Sequence, residues 1–308
     1  MRRNSLTIVG ALIASAGFAT SAMGASAVYN LGDLFVPDLF APFETAIPAP
    51  GLNPTKAVFS TDWVAGSGDP YSNEAIWAVT DAPLNVATDF YFDFGPSPDS
   101  ASSGAPVTLN WAGYRGGYDP LPDLSGNALN FIAGQTFDFS DAFWNNSVLT
   151  LSDDVAAAPT SFIDLGAVAG EFEPFSIDTF GSGMDTELGF FNHAGGLADT
   201  NDDTGGGLES ELLVPGLPAG DYFFNVGGFN TIYGEGGFEA NVGSFGSDGG
   251  DFVINISSLA LPSALRSQAY AGTLDADTNQ FFRITIVPTP GTAAILGVVG
   301  LAGIRRRR

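Results

Sequence analysis

The sequence predicts an all-β protein of two β-sandwich, jelly-roll-like domains, with an N-terminal signal helix and a C-terminal hydrophobic helix. Three observations predict it. Gly 40 and Pro 19 punctuate a chain of 308 residues at short intervals. Between those breaks, apolar and polar residues alternate with a period of two, as half-buried strands do. Lys56 is the single lysine, so long helices laced with Glu–Lys pairs are not expected.

Taken in order, the chain opens on Arg2 and Arg3, an apolar stretch from Leu6 to Ala22, and Ala25-Ser26-Ala27. A positive start, a greasy middle and an A-x-A pattern define a secretory signal peptide, 1–27, cut by signal peptidase. A second possible cut follows Gly24. The residues around the paired arginines do not suit twin-arginine export, so the Sec route is expected.

The first domain, 28–157, contains strand-like runs at Ala57 to Thr61, Glu74 to Val79, Thr88 to Phe94, Val107 to Tyr114, Asn130 to Phe139 and Ser147 to Leu151. In Thr88 to Phe94, alternation puts Phe90, Phe92 and Phe94 on a core face and Asp89, Tyr91 and Asp93 outside. Gly95 to Gly104 and Gly116 to Gly126 read as loops. The best boundary lies at Ala156 to Thr160.

The second domain, 158–286, repeats the pattern at Phe172 to Ile177, Thr186 to Phe191, Glu209 to Val214, Asp221 to Val226 and Phe252 to Ile256. Gln280 to Ile286 reads as a closing strand, and the Gly-rich span Gly234 to Gly250 as turns or loops.

All 34 acidic residues fall between Val28 and Pro288, where the only bases are Lys56, Arg115, Arg266 and Arg283; four against 34 leaves −30. Such a surface repels phosphate backbones, so nucleic acid is excluded as a partner. There is no Cys, which excludes thiolate zinc sites and cysteine nucleophiles. Carboxylates and carbonyls are the hard oxygens that calcium prefers. Asp199, Asn201, Asp202 and Asp203 make the densest such cluster, with Asp178 and Asp185 as further donors. The competing reading is an Asx turn, which favours the same residues for local reasons.

Catalytic signals are sparse. His193 is the only histidine, and its turn context reads as structural. No G-x-S-x-G elbow and no H-E-x-x-H occurs, and no Gly-rich stretch opens a helix as a phosphate loop does. With this many acids, some carboxylate pair always suggests glycoside hydrolysis, so that signal carries no weight. Trp111, Tyr114 and Tyr118, near Arg115, make a candidate sugar-stacking platform. The rival reading places Trp111 in the core with Trp63, Trp77 and Trp144, since large aromatics dominate sandwich cores.

Two segments resemble known families. Val287-Pro288-Thr289-Pro290, the apolar run from Thr292 to Ile304, and Arg305, Arg306, Arg307 and Arg308 at the end resemble a PEP-CTERM sorting signal. Thr289 stands where that family has Glu. The resemblance implies a tail, 287–308, recognised by an exosortase-like membrane protease, with the arginines held on the cytoplasmic side. Gly291 to Ile304 extends ~21 Å as a helix, short of the ~20 residues of a stable span, which suits a transient hold.

The second resemblance covers Glu173 to Thr231. Ile177-Asp178-Thr179, Asp185 to Phe190, Thr200 to Asp203 and Leu217 to Tyr222 resemble the pattern of a bacterial pre-peptidase C-terminal (PPC) domain, with Phe190 replacing its last Leu. That resemblance implies a small β-sandwich appended to a secreted protein. The expected role is an exported, non-catalytic component of the cell surface or extracellular matrix. The rival readings are a module binding exopolysaccharide and, behind it, a secreted hydrolase.

Overall fold

The computed structural model describes residues 24–38, 42–68, 70–84, 89–94, 105–136, 140–204, 207–258 and 268–288. The protein is all-β: the described residues form 19 strands and one 3-10 turn, Ser72–Glu74. None of their helices is long and apolar enough to cross a membrane. The signal segment 1–23 and the tail from Thr289, with Arg305 to Arg308, lie outside the described residues.

Two compact units divide the chain between Val155 and Ala156. The segment Gly116–Pro122 groups with the second unit, although it connects strands of the first.

The first unit holds β1 (Ser26–Pro37), β2 (Phe43–Ile47), β3 (Lys56–Ala65), β4 (Ala75–Thr80), β5 (Phe90–Phe94), β6 (Val107–Tyr114), β7 (Leu129–Gln135) and β8 (Asp141–Ser152). One sheet runs β1-β8-β3-β6 and the other β2-β7-β4-β5, all antiparallel. Both sheets contribute to one apolar core, which makes the unit sandwich-like. Phe59 on β3 is its hub. Its ring centroid lies 5.1 Å from Trp77 and Phe131 of the opposite sheet and 5.6 and 5.7 Å from Trp111 and Trp144 of its own. Burying rings of this size contributes ~1.5–3 kcal/mol each. Gln135 satisfies two indoles: with its oxygen turned inward, it accepts from Trp144 Nε1 at 3.1 Å and Trp63 Nε1 at 3.2 Å.

The start of β1 bears on the expected signal cut. Ala27 already pairs with Leu151, and Gly24 N donates to Asp154 Oδ1. A cut after Ala27 removes two residues of β1, whereas one after Gly24 leaves the strand whole.

In β5 only part of the expected core face turns inward. Phe92 is buried, but Phe90 is 51% exposed. The ladder to β4 shifts register between Val79 and Thr80, and that irregularity swings Phe90 outward at the sheet edge.

The second unit holds β9 (Ile163–Gly170), β10 (Phe175–Asp178), β11 (Thr186–Phe191), β12 (Leu197–Asn201), β13 (Glu211–Val214), β14 (Gly220–Gly228), β15 (Thr231–Gly234), β16 (Glu239–Val242), β17 (Gly250–Ser258), β18 (Gln268–Leu274) and β19 (Asn279–Val287). A five-stranded sheet runs β12-β11-β14-β19-β9, and a four-stranded sheet runs β13-β10-β17-β18. β9 joins β19 in parallel; the other pairs are antiparallel. Phe190, Phe224 and Phe282 face Phe175, Ile254 and Ile256 across a shared core. Among the described residues β15 and β16 pair only with each other.

The Gly-rich span expected to be all loop therefore contains β16 and the end of β15. Phe172, expected at the start of a strand, is exposed and has φ 60, so the chain turns there before β10 begins.

Candidate functional site

Carboxylates converge beside the entry to β11. The turn after β12 is cinched by Asn201, whose Oδ1 accepts from Thr204 Oγ1 at 2.7 Å and from Glu211 N at 3.0 Å. The Ser210 hydroxyl meets the carbonyls of both Thr186 and Asp202, tying that turn to β11. Asp185, Asp202 and Asp203 consequently offer oxygens within 4.8 Å of one another. A cavity of 520 Å³ opens alongside, lined by residues including Asp185, Glu209 and Asp248, with Met184 and Leu208 as its apolar part.

The electrostatics follow from crowding like charges in partly desolvated ground. Burial first, then the charges of Asp202, Asp203 and Asp248, raise the Asp185 carboxyl above its ordinary value. Its Oδ1 is buried and meets no hydrogen-bond donor among the described residues. Asp202 is raised by burial and by Asp203. Glu187, two residues along β11, is pushed up to about 7, mainly by burial, with Asp202 and Asp185 adding and the Asn230 N–H opposing. The group can accept hydrogen bonds or a hard cation.

The residues singled out in the sequence are dispersed. Asp185, Asp202 and Asp203 join the cluster. Asp199 instead accepts from Tyr118 Oη at 3.1 Å, and Asn201 spends its oxygen on the turn. Asp178 accepts from Phe180 N and Asn255 Nδ2. Glu187, Glu209 and Asp248 were not singled out. The spacing of Asp185 and Glu187, two apart across the entry to β11, is the one signal for a shared face.

Trp111 is buried in the first unit's core, 6.0 Å from Trp144 in a stacked pair, and presents no ring face to solvent. Tyr114 carries Lys56 Nζ at 5.3 Å from its ring centroid. Tyr118 belongs to the second unit, where its ring packs 5.6 Å from Phe190. His193 donates its backbone N–H to Asp119 Oδ2 at 2.7 Å and sets its ring edge-on to Tyr222. Val287 ends β19, its carbonyl accepting from Glu171 N, and Pro288 follows. Thr289 and Pro290 lie outside the described residues.

No family model matches the chain, and no curated protein matches it.

Proposed function

We propose that this chain is an exported, non-catalytic component of the cell surface or extracellular matrix, sorted through its C-terminal tail. The observation that carries the reading is the order of parts from Val287 to Arg308: a Pro-Thr-Pro turn, a short apolar run and four arginines. The N-terminal 1–27 segment directs export. The tail, resembling a PEP-CTERM signal, holds the chain transiently in the inner membrane until an exosortase-like protease removes it.

The body suits a scaffold role. In the first unit β1 pairs with β8, β2 with β7, β3 with β6 and β4 with β5, which supports reading it as an eight-stranded jelly roll. The second unit is read as a PPC-like sandwich. Calcium is the cation that the hard oxygens of Asp185, Asp202 and Asp203 would hold, and the orphaned Oδ1 of Asp185 is consistent with that fit. A calcium titration that raises the melting temperature of the native chain, and does so less in Asp185→Asn, is the expected result.

The decisive experiment is intact-mass measurement on surface-fractionated protein from the native cell. The expected mature chain lacks Arg305 to Arg308. A surface-located chain still ending in four arginines overturns the sorting proposal.

A further inference from the structure

The outward face of the five-stranded sheet is covered by the β15–β16 hairpin, and what lies underneath is not an ordinary core. Three rings, Phe191, Phe223 and Phe281, sit there beside Asn225 and Glu187. Phe191 and Asn225 are 0% exposed, and Phe223 and Glu187 are 8% exposed. The hairpin grips this floor through two rings. Phe238 lies 5.6 Å from Phe191 and 5.2 Å from Phe223. Tyr233 lies edge-on to Phe191 at 6.4 Å, directly over Gly189, where a Cβ would come within 2.4 Å of its ring.

Burying an amide and a carboxylate beneath a cover is costly unless each finds a partner. Here the cover itself contributes partners. Tyr233 Oη donates to Glu187 O at 2.9 Å and has Asn225 Oδ1 at 3.4 Å. Asn230 N, at the base of the hairpin, donates to Glu187 Oε1 at 2.6 Å. Among the described residues the hairpin pairs with no other strand. Positive φ values at Asn230 (69), Gly237 (85) and Phe238 (49) mark turns at its base and tip.

We propose that the β15–β16 hairpin is a lid, and that the floor beneath it binds a neutral sugar ring whose place Tyr233 occupies in the closed state. A pyranose has the same two properties as the tyrosine: a flat apolar face to lie on Gly189 beside Phe191, and hydroxyls at its rim. Asn225 and the Glu187 strand carbonyl offer polar partners for those hydroxyls. The balance of four bases against 34 acids between Val28 and Pro288 disfavours anionic glycans. Ligand opens the lid to the extent that it prefers the open form. This site is separate from the sorting tail and adjoins the Asp185 cluster through Glu187, whose carboxyl feels Asp202 and Asp185.

Hydrogen exchange on the full chain tests the lid. Amides of Thr231 to Val242 are expected to exchange at least tenfold faster than those of Leu188 to Phe191 and Tyr222 to Val226. Equal rates overturn the lid, because the hairpin would then open only with the sheet. An array of neutral glucans, xylans and mannans tests the ligand. Tyr233→Phe, which keeps the ring and drops the hydroxyl, is expected to bind at least threefold more tightly than the native chain. No retention of either native or Tyr233→Phe protein, with both melting cooperatively, overturns the sugar assignment.

Discussion

Tyr233 lies over Gly189 so closely that a single added carbon on the glycine would meet three atoms of its ring within 3 Å. The glycine is there to admit the ring, not to bend the chain. Gly189→Ala therefore forces the ring to shift or lift. Overpacking of this kind costs ~1–3 kcal/mol, against a gain of ~0.5–1 kcal/mol from replacing glycine within a strand. Urea unfolding is expected to show a net loss of about 1 kcal/mol, with faster amide exchange confined to Thr231 to Val242.

Glu187 makes stability depend on pH. Its carboxyl, ordinarily near 4.5, titrates at about 7 in the folded protein. The folded state then holds the proton more tightly than the unfolded state. Stability from this group is highest below pH 4.5, falls as pH rises toward 7, and is level above. The gap amounts to about 3 kcal/mol at ~1.36 kcal/mol per unit. Glu187→Gln keeps an acceptor for Asn230 N and removes the charge. It is expected to match the native protein at pH 4 and to exceed it by up to about 3 kcal/mol at pH 8. Comparing the two proteins cancels the contribution of Asp119 and leaves, of Asp185 and Asp202, only the part coupled to Glu187. Chemical denaturation at both pH values checks it.

Tyr118 serves the second unit from a distant point in the sequence. Its ring packs on Phe190, its hydroxyl donates to Asp199, and its neighbour Gly117 accepts from Asn192 Nδ2 at 2.9 Å. A fragment beginning at Ala156 lacks all of this and exposes one side of Phe190. Tyr118→Ala in the full chain is expected to cost about 2 kcal/mol for a half-buried ring. The fragment is expected to melt below the second-unit transition of the full chain, as calorimetry would show.

What the sequence made legible follows from how strongly each segment signals. β11 was read to the residue, Thr186 to Phe191, because aromatic and β-forming residues are bounded there by turn residues. β9 was missed. Its sequence, Ile163 to Gly170, is mostly small residues, it contains Gly166 at φ 74, and its ladder to β19 is irregular in two places. Phe90 was assigned to the wrong side because alternation cannot foresee a register shift on the partner strand. The acidic cluster was half legible. Asp202 and Asp203 stood out as a local run with Asp185 as a further donor, whereas Glu209 and Asp248 reach the cavity through tertiary folding alone. Tyr118 was noticed for its chemistry, but its partner Asp199 lies 81 residues away and nothing local announces it.

Trp111 carries the last prediction, because its burial decides how a sugar-binding test on the first unit must be designed. The ring is stacked on Trp144 and tilted against Phe59 at the centre of the core. Removing it leaves a cavity that neighbours of this size cannot fill, so Trp111→Ala is expected to cost ~3–5 kcal/mol. Loss of glycan binding in that variant would then report a collapsed sandwich and not a missing contact. Tyr114 is the sounder probe: it ends β6, is only partly buried and carries Lys56 over its ring. Tyr114→Ala is expected to lower stability by about 1 kcal/mol or less, as half-exposed positions do. If the first unit binds exopolysaccharide through this end of β6, Tyr114→Ala loses binding while its melting transition stays cooperative. If binding persists, that end of the strand is not the site. Thermal melting recorded beside each glycan measurement separates the two variants.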